Sequence, residues 1–302
     1  VESLWKEIVE PINEENTTEL KINMRAFKPA QLISSPLNAE SLSDQPNATQ
    51  RLLKPLLDLV ENSDYLIGGS VGQFLVEQKL FQIPRFIFMG PTGGGDTIRL
   101  GIFAGLHGDD PEGAEALVEL LQELEVAPQV ARGFHIYAYP ICNPIRFAAR
   151  TRSNAAGDDL AGQFWSGSSQ PEVYYLEREL GVLRFHGVIS LQTKNHSGGF
   201  LVDTNSAILN RALAQPAIQA TQRFLPGSIL KTESDTGSLH ALPKSSLPDF
   251  LTVTDELDPS PFELHIGIPK HAPRPSKIHG TVGALKSILD SYRSLLSIGQ
   301  NL

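Results

Sequence analysis

The chain has 302 residues, 41% of them hydrophobic and 20% charged, which is enough apolar material for one large core or two smaller ones. A formal net charge of -9, with no Lys/Arg cluster, disfavours nucleic acid and acidic membrane surfaces as partners and favours small substrates or peptides. The single cysteine, Cys142, excludes an internal disulfide and a cysteine-rich zinc site, so any metal has to be held by histidine, carboxylate or amide groups.

The opening VESLWKEIVE is amphipathic and charged rather than signal-like, and no stretch has the length of a membrane span, which together read as a cytoplasmic protein. Residues 1–50 are polar and loop-rich, with a short helix expected near Leu4 to Glu10, and read as an N-terminal extension to a single α/β domain over 51–302. From Arg51 the spacing of Leu52, Leu53, Leu56, Leu57 and Val60 predicts a helix, followed by a strand from Tyr65 to Ile67. Gly68, Ser70 and Gly72 have the spacing of a hydrolase nucleophile elbow, but no helix follows, so these read as turn glycines. QFLVEQKLFQIPRFIFMG reads as two short strands with a turn near Gln82 to Pro84, and PTGGGD as a further turn.

Ile98 to Leu106 is a short apolar run that predicts a buried strand, and Leu117, Val118, Leu121 and Leu124 then repeat at helical spacing. Between them lie His107, Gly108, Asp109 and Asp110, with Pro111 opening the helix. Capping and the helix dipole account for the acids. They do not account for His107, and a histidine delivered by a strand to a helix N-terminus, with carboxylates two and three residues on, reads as a metal corner.

Gly133 to Ile141 predicts a strand in which His135 is a packed or edge residue. Ile145 to Trp165 reads as a long functional loop with Arg146, Arg150, Arg152 and Asn154, where arginines suit a carboxylate or a developing oxyanion. A helix over Glu172 to Leu183 precedes a strand, Gly187 to Leu191, ending at Gln192, and then a loop with His196. A helix over 206–224 and a turn-rich stretch lead to a strand from Phe262 to Ile268. There the two-residue period puts Glu263 and His265 on one face and Phe262, Leu264 and Ile266 on the other. An amphipathic helix over Val282 to Leu296 closes the chain.

Four motifs, His107-Gly108-Asp109-Asp110-Pro111-Glu112-Gly113, Asn143-Pro144 with Thr151-Arg152-Ser153-Asn154, Ser190-Leu191-Gln192, and Glu263 before Gly267-Ile268-Pro269, share an order and spacing. Over about Tyr65 to the C-terminus this resembles the zinc carboxypeptidase family, including its succinylglutamate desuccinylase and aspartoacylase branch. The resemblance implies a three-layer α/β/α sandwich with a mixed, largely parallel sheet. It also implies zinc at His107, Asp110 and Gln192, Glu263 as general base and Arg152 as oxyanion stabiliser. The implied substrate is a small peptide or acylated amino acid, with Asn154, Arg146 and Arg150 as candidate contacts.

Three positions depart from the family pattern. Asp110 stands where the family has glutamate, Gln192 where it has histidine, and Ala161-Gly162 where an Asn-Arg pair grips a substrate carboxylate. An amide is a poor zinc ligand beside imidazole, and His196 is the nearest substitute. Two readings follow from these residues: a metallohydrolase with a degenerate site, and a catalytically inactive descendant that binds a ligand or partner without zinc.

Overall fold

The structure is a computed structural model that describes residues 37, 46–76, 78–109, 111–152, 160–194, 199–204, 207–225, 257 and 260–299. Its centre is four parallel strands: β3 (Ile98–Phe103), β4 (Phe134–Tyr139), β5 (Gly187–Lys194) and β7 (Phe262–Pro269). A hairpin of β1 (Leu66–Val76) and β2 (Lys79–Met89) adds antiparallel to β4 at one side, and β6 (Leu201–Thr204) adds antiparallel to β7 at the other. The strand order is β1-β2-β4-β3-β5-β7-β6, a mixed sheet with a parallel core.

Helices cover both faces, which makes the three layers. The larger core packs α1 (Asn47–Val60), α2 (Pro111–Val126) and α7 (Arg274–Gly299) on one face, through Leu53, Leu117, Leu121 and Leu285 against Ile189, Leu191, Leu264 and Ile266. The smaller core lies on the other face, where Val173, Leu176 and Leu180 of α4 (Pro171–Leu183) meet Phe74, Phe103, Tyr139 and Val188. Between these helices the chain forms α3 (Pro144–Ala149), and after β6 it passes through α5 (Ala207–Leu209), a π-helical turn and α6 (Gln215–Thr221). Each parallel strand has to be covered on both faces, and β3 and the first half of β5 are largely apolar.

Several expectations change. Gly68 to Gly72 are not turn glycines; they lie inside β1, and the hairpin turns instead at Gln78, which takes φ 66°. At Gly72 a Cβ would stand 2.3 Å from the Tyr175 ring, so the glycine serves close helix-to-sheet packing rather than a turn. Pro84 sits within β2 opposite Ser70, where the register shifts, and a bulge tolerates a residue without an N–H. Ser70 is buried in that strand with its Oγ donating to the Gly72 carbonyl, not presented at an elbow.

The stretch from Ile145 is not all loop, since α3 begins at Pro144 with the Asn143 side chain accepting from the Arg146 N–H as its cap. Strand β5 continues past Gln192 to Lys194, and β6 was not expected at all. Leu37 is already buried in the larger core and α1 starts at Asn47, both inside the stretch read as an extension. The expected helix near Leu4 and the turn-rich stretch before β7 fall outside the described residues. Among the described residues, no helix is long and apolar enough to cross a membrane.

Candidate active site at the carboxyl edge of the sheet

Strand β3 ends at Phe103 and its chain turns at Gly105, which has φ +63° and whose Cβ would meet the Pro140 carbonyl oxygen at 2.7 Å. Asn143 N–H donates to the Gly105 carbonyl at 2.9 Å, so the corner is sewn to the segment that follows β4. Leu106 enters the smaller core and His107 is buried, 1% exposed, just before α2. Gly108 then passes so close to the end of α3 that a Cβ would lie 1.8 Å from the Arg146 carbonyl oxygen and 2.7 Å from that of Thr151. Its N–H donates to the Thr151 oxygen at 3.0 Å. One backbone hydrogen bond thus holds His107-Gly108 against Thr151-Arg152, two motifs more than forty positions apart in the chain.

Arg152 is exposed beside this junction. Arg150 ends α3 in the left-handed region and its N–H donates to the Arg146 carbonyl. With Arg51, Gly108, Asp109 and Arg274 it lines a cleft of about 1100 Å³ between α1, α2 and α7. None of His107, Gln192 and Glu263 lines that cleft. Arg146 is half-buried, and its charge opposes the effect of burial on Glu172, whose carboxyl burial pushes up to about 7. Asp110, Asn154 and His196 lie outside the described residues.

Across the sheet from the corner, β5 and β7 present a polar row. Parallel register pairs Val188 with Glu263, Ser190 with His265 and Gln192 with Gly267. Paired residues share a face, and because Val188 belongs to the smaller core while Leu191, Leu264 and Ile266 belong to the larger, the row faces the smaller core. Gln192 is buried, 2% exposed, and neither its amide oxygen nor its amide nitrogen has a hydrogen-bond partner among the described residues. Ser190 Oγ and His265 Nδ1 lie 2.7 Å apart. On the far side, register sets Asp203 of β6 opposite His265.

Glu263 is buried lower in the row, burial alone pushes its carboxyl up to about 8, and its Oε1 has no partner among the described residues. Its register partner Val188 is four residues before Gln192, about 13 Å along the strand. Glu263 therefore stands well below the level of Gln192 on the sheet. The motif spacing counted back from Gly-x-Pro places it two residues further from the edge than His265. The Ser190–His265 pair is the site feature that reasoning from sequence missed; the alternation on β7 marked His265, but nothing in the sequence fixed its register against Ser190.

Does this edge suit a metal? Among the described residues no group of three or more His, Cys, Asp or Glu could hold one. What stands there is a buried imidazole at the corner and, on the strand beside β3, a buried amide whose two polar atoms are unmatched among the described residues. Among the described residues these two supply one nitrogen and one oxygen donor, short of the three protein ligands typical of zinc enzymes, and Asp110 lies outside the described residues.

No protein-family model and no curated protein matches the sequence. Solved structures do match the fold. A metallo-carboxypeptidase from Burkholderia cenocepacia aligns over 82% of this chain and 68% of its own, at 13% identity and a TM-score of 0.60. A candidate metallopeptidase from Shewanella amazonensis SB2B aligns over 80% and 92%, at 17% identity and a TM-score of 0.58. A metallo-carboxypeptidase from Pseudomonas aeruginosa, solved with (2-guanidinoethylmercapto)succinic acid, aligns over 87% and 70%, at 16% identity and a TM-score of 0.55. The chain has the carboxypeptidase-like fold that these proteins share.

Proposed function

We propose that this chain is a metallo-carboxypeptidase-like hydrolase that cleaves an amide bond of a small peptide or an acylated amino acid. The observation that carries the reading is the junction at Gly108, where one hydrogen bond sets the His107 corner beside Arg152 at the carboxyl edge of a parallel strand. Open α/β sheets bind ligands at that edge. His107, Asp110 and the Gln192 Oε1 would hold the metal, which when bound polarises the scissile carbonyl as a Lewis acid.

The chain's own groups do the rest. Arg152, with five fixed donors and a permanent charge, stabilises negative charge developing on the carbonyl oxygen. Arg150 and Arg146, with Asn154, are the groups left to orient a substrate carboxylate, because Ala161 and Gly162 offer none. Gln192, neutral and less basic than a histidine, lowers the affinity for metal rather than abolishing the site.

The second reading, a descendant that binds a ligand without zinc, is favoured by one observation, the neutral and unmatched Gln192 amide. Elemental analysis of protein purified without chelator, followed by assay on N-acetyl amino acids and N-blocked dipeptides with zinc supplied, separates the two. Metal uptake with release of free amine supports the hydrolase. A chain that takes up no metal at any supplied concentration and releases no amine is the inactive descendant.

A further inference from the structure

We infer that His265, held by Ser190, is the proton-accepting residue of this site. The inference rests on the hydrolase reading above and assigns its general base.

Four observations carry it. Along the polar row, His265 stands one pleat nearer the carboxyl edge than Glu263, on the same face as Gln192. It is half-buried, whereas Glu263, Ser190 and Gln192 are each buried, so it is the least enclosed residue of the row, although its Nε2 is itself shielded from solvent. Its ring is fixed, because Ser190 Oγ lies 2.7 Å from Nδ1. Finally, Asp203 faces it by register from β6, a carboxylate placed to favour a ring that gains charge.

The proton accounting follows from the tautomer. With Nδ1–H donating to the Ser190 hydroxyl, Nε2 is the basic nitrogen. It takes a proton as water oxygen bonds to the acyl carbon, and returns a proton to the amide nitrogen as the carbon–nitrogen bond breaks. The products are one carboxylic acid and one amine, with no oxidant or reductant needed. Ser190 is a positioning residue, since it acts only through the ring.

The test uses the full chain supplied with zinc and the best substrate among N-acetyl amino acids and N-blocked dipeptides. His265→Ala should lower kcat by at least 100-fold, the lower range for losing a general base. Its zinc content should match the wild type, which a ligand role would not allow. Added imidazole should restore at least a tenth of the lost rate, which a purely structural role would not allow. Glu263→Gln should remain at least tenfold faster than His265→Ala, and Ser190→Ala should fall between the two.

If His265→Ala unfolds, His265→Asn keeps a donor near the Nδ1 position and carries the same comparison. A His265 variant within threefold of wild type, or a Glu263→Gln variant slower than it, overturns the assignment while leaving the hydrolase reading standing. Zinc-loaded wild type that turns over none of the substrates overturns both.

Discussion

Replacing Gly108 by alanine tests the junction on which the site is built. An ideal Cβ there would sit 1.8 Å from the Arg146 carbonyl oxygen and 2.1 Å from its carbon, both backbone atoms of a capped helix. Real Cβ atoms essentially never approach below 3.0 Å, so one segment must move by about 1.2 Å or more in a close-packed region. The movement strains or breaks the 3.0 Å bond from the Gly108 N–H to Thr151. Overpacking costs about 1–3 kcal/mol and the hydrogen bond about 1 kcal/mol, so the variant should lose about 3 kcal/mol and melt about 5 °C lower.

Gly181 supplies the internal comparison. It lies in α4 with no atom within 4 Å of its would-be Cβ and no positive φ, so alanine there should stabilise by about 0.5–1 kcal/mol through helix propensity. Urea unfolding of both variants measures the contrast. A Gly108→Ala chain within 0.5 kcal/mol of wild type, taking up metal equally well, would show that the two segments do not meet as described; that threshold is roughly the scatter of a surface change.

Arg152→Ala should lower kcat by about 10²–10³ with little change in metal content, and Arg152→Lys should recover only part of the rate, because a point charge does not reproduce the guanidinium fork. For Glu263 the prediction concerns stability against pH. The folded chain keeps this carboxyl protonated up to about 8, against an ordinary 4.5, so between those values the folded state binds the extra proton. The stabilisation is complete below 4.5 and is lost as pH rises through about 8. Compared with Glu263→Gln, which cannot ionise, wild type should lose on the order of a few kcal/mol across that window, read by denaturant unfolding at several pH values. Parallel curves for the two proteins would contradict the burial of this carboxyl.

What was legible in the sequence is what local pattern controls. The apolar run into His107 and the helical spacing after Pro111 announce β3, the corner and α2, and alternation on β7 separates Glu263 and His265 from Leu264 and Ile266. Tertiary demands were not legible. Gly68 and Gly72 look like turn residues until the Tyr175 ring claims the space over Gly72. Pro84 looks like a turn until it is seen opposite the register shift at Ser70. Register itself is the larger loss, because it is set by pairing between strands some seventy positions apart in the chain. It is register that sinks Glu263 below the edge and brings His265 to Ser190. Likewise nothing in the run from Ile145 to Arg152 announces that Thr151 will receive the Gly108 N–H, a contact that depends on glycine's missing side chain.

The most direct test of the whole account is the zinc affinity of the wild-type chain beside Gln192→His, by titration and elemental analysis of the dialysed proteins. If His107, Asp110 and Gln192 form one weak site, wild type should bind one zinc per chain with low affinity. Gln192→His should then bind one zinc at least tenfold more tightly, since imidazole replaces a neutral amide. Equal affinity in the two proteins, or no zinc in either at saturation, would contradict a metal centre at this edge of the sheet.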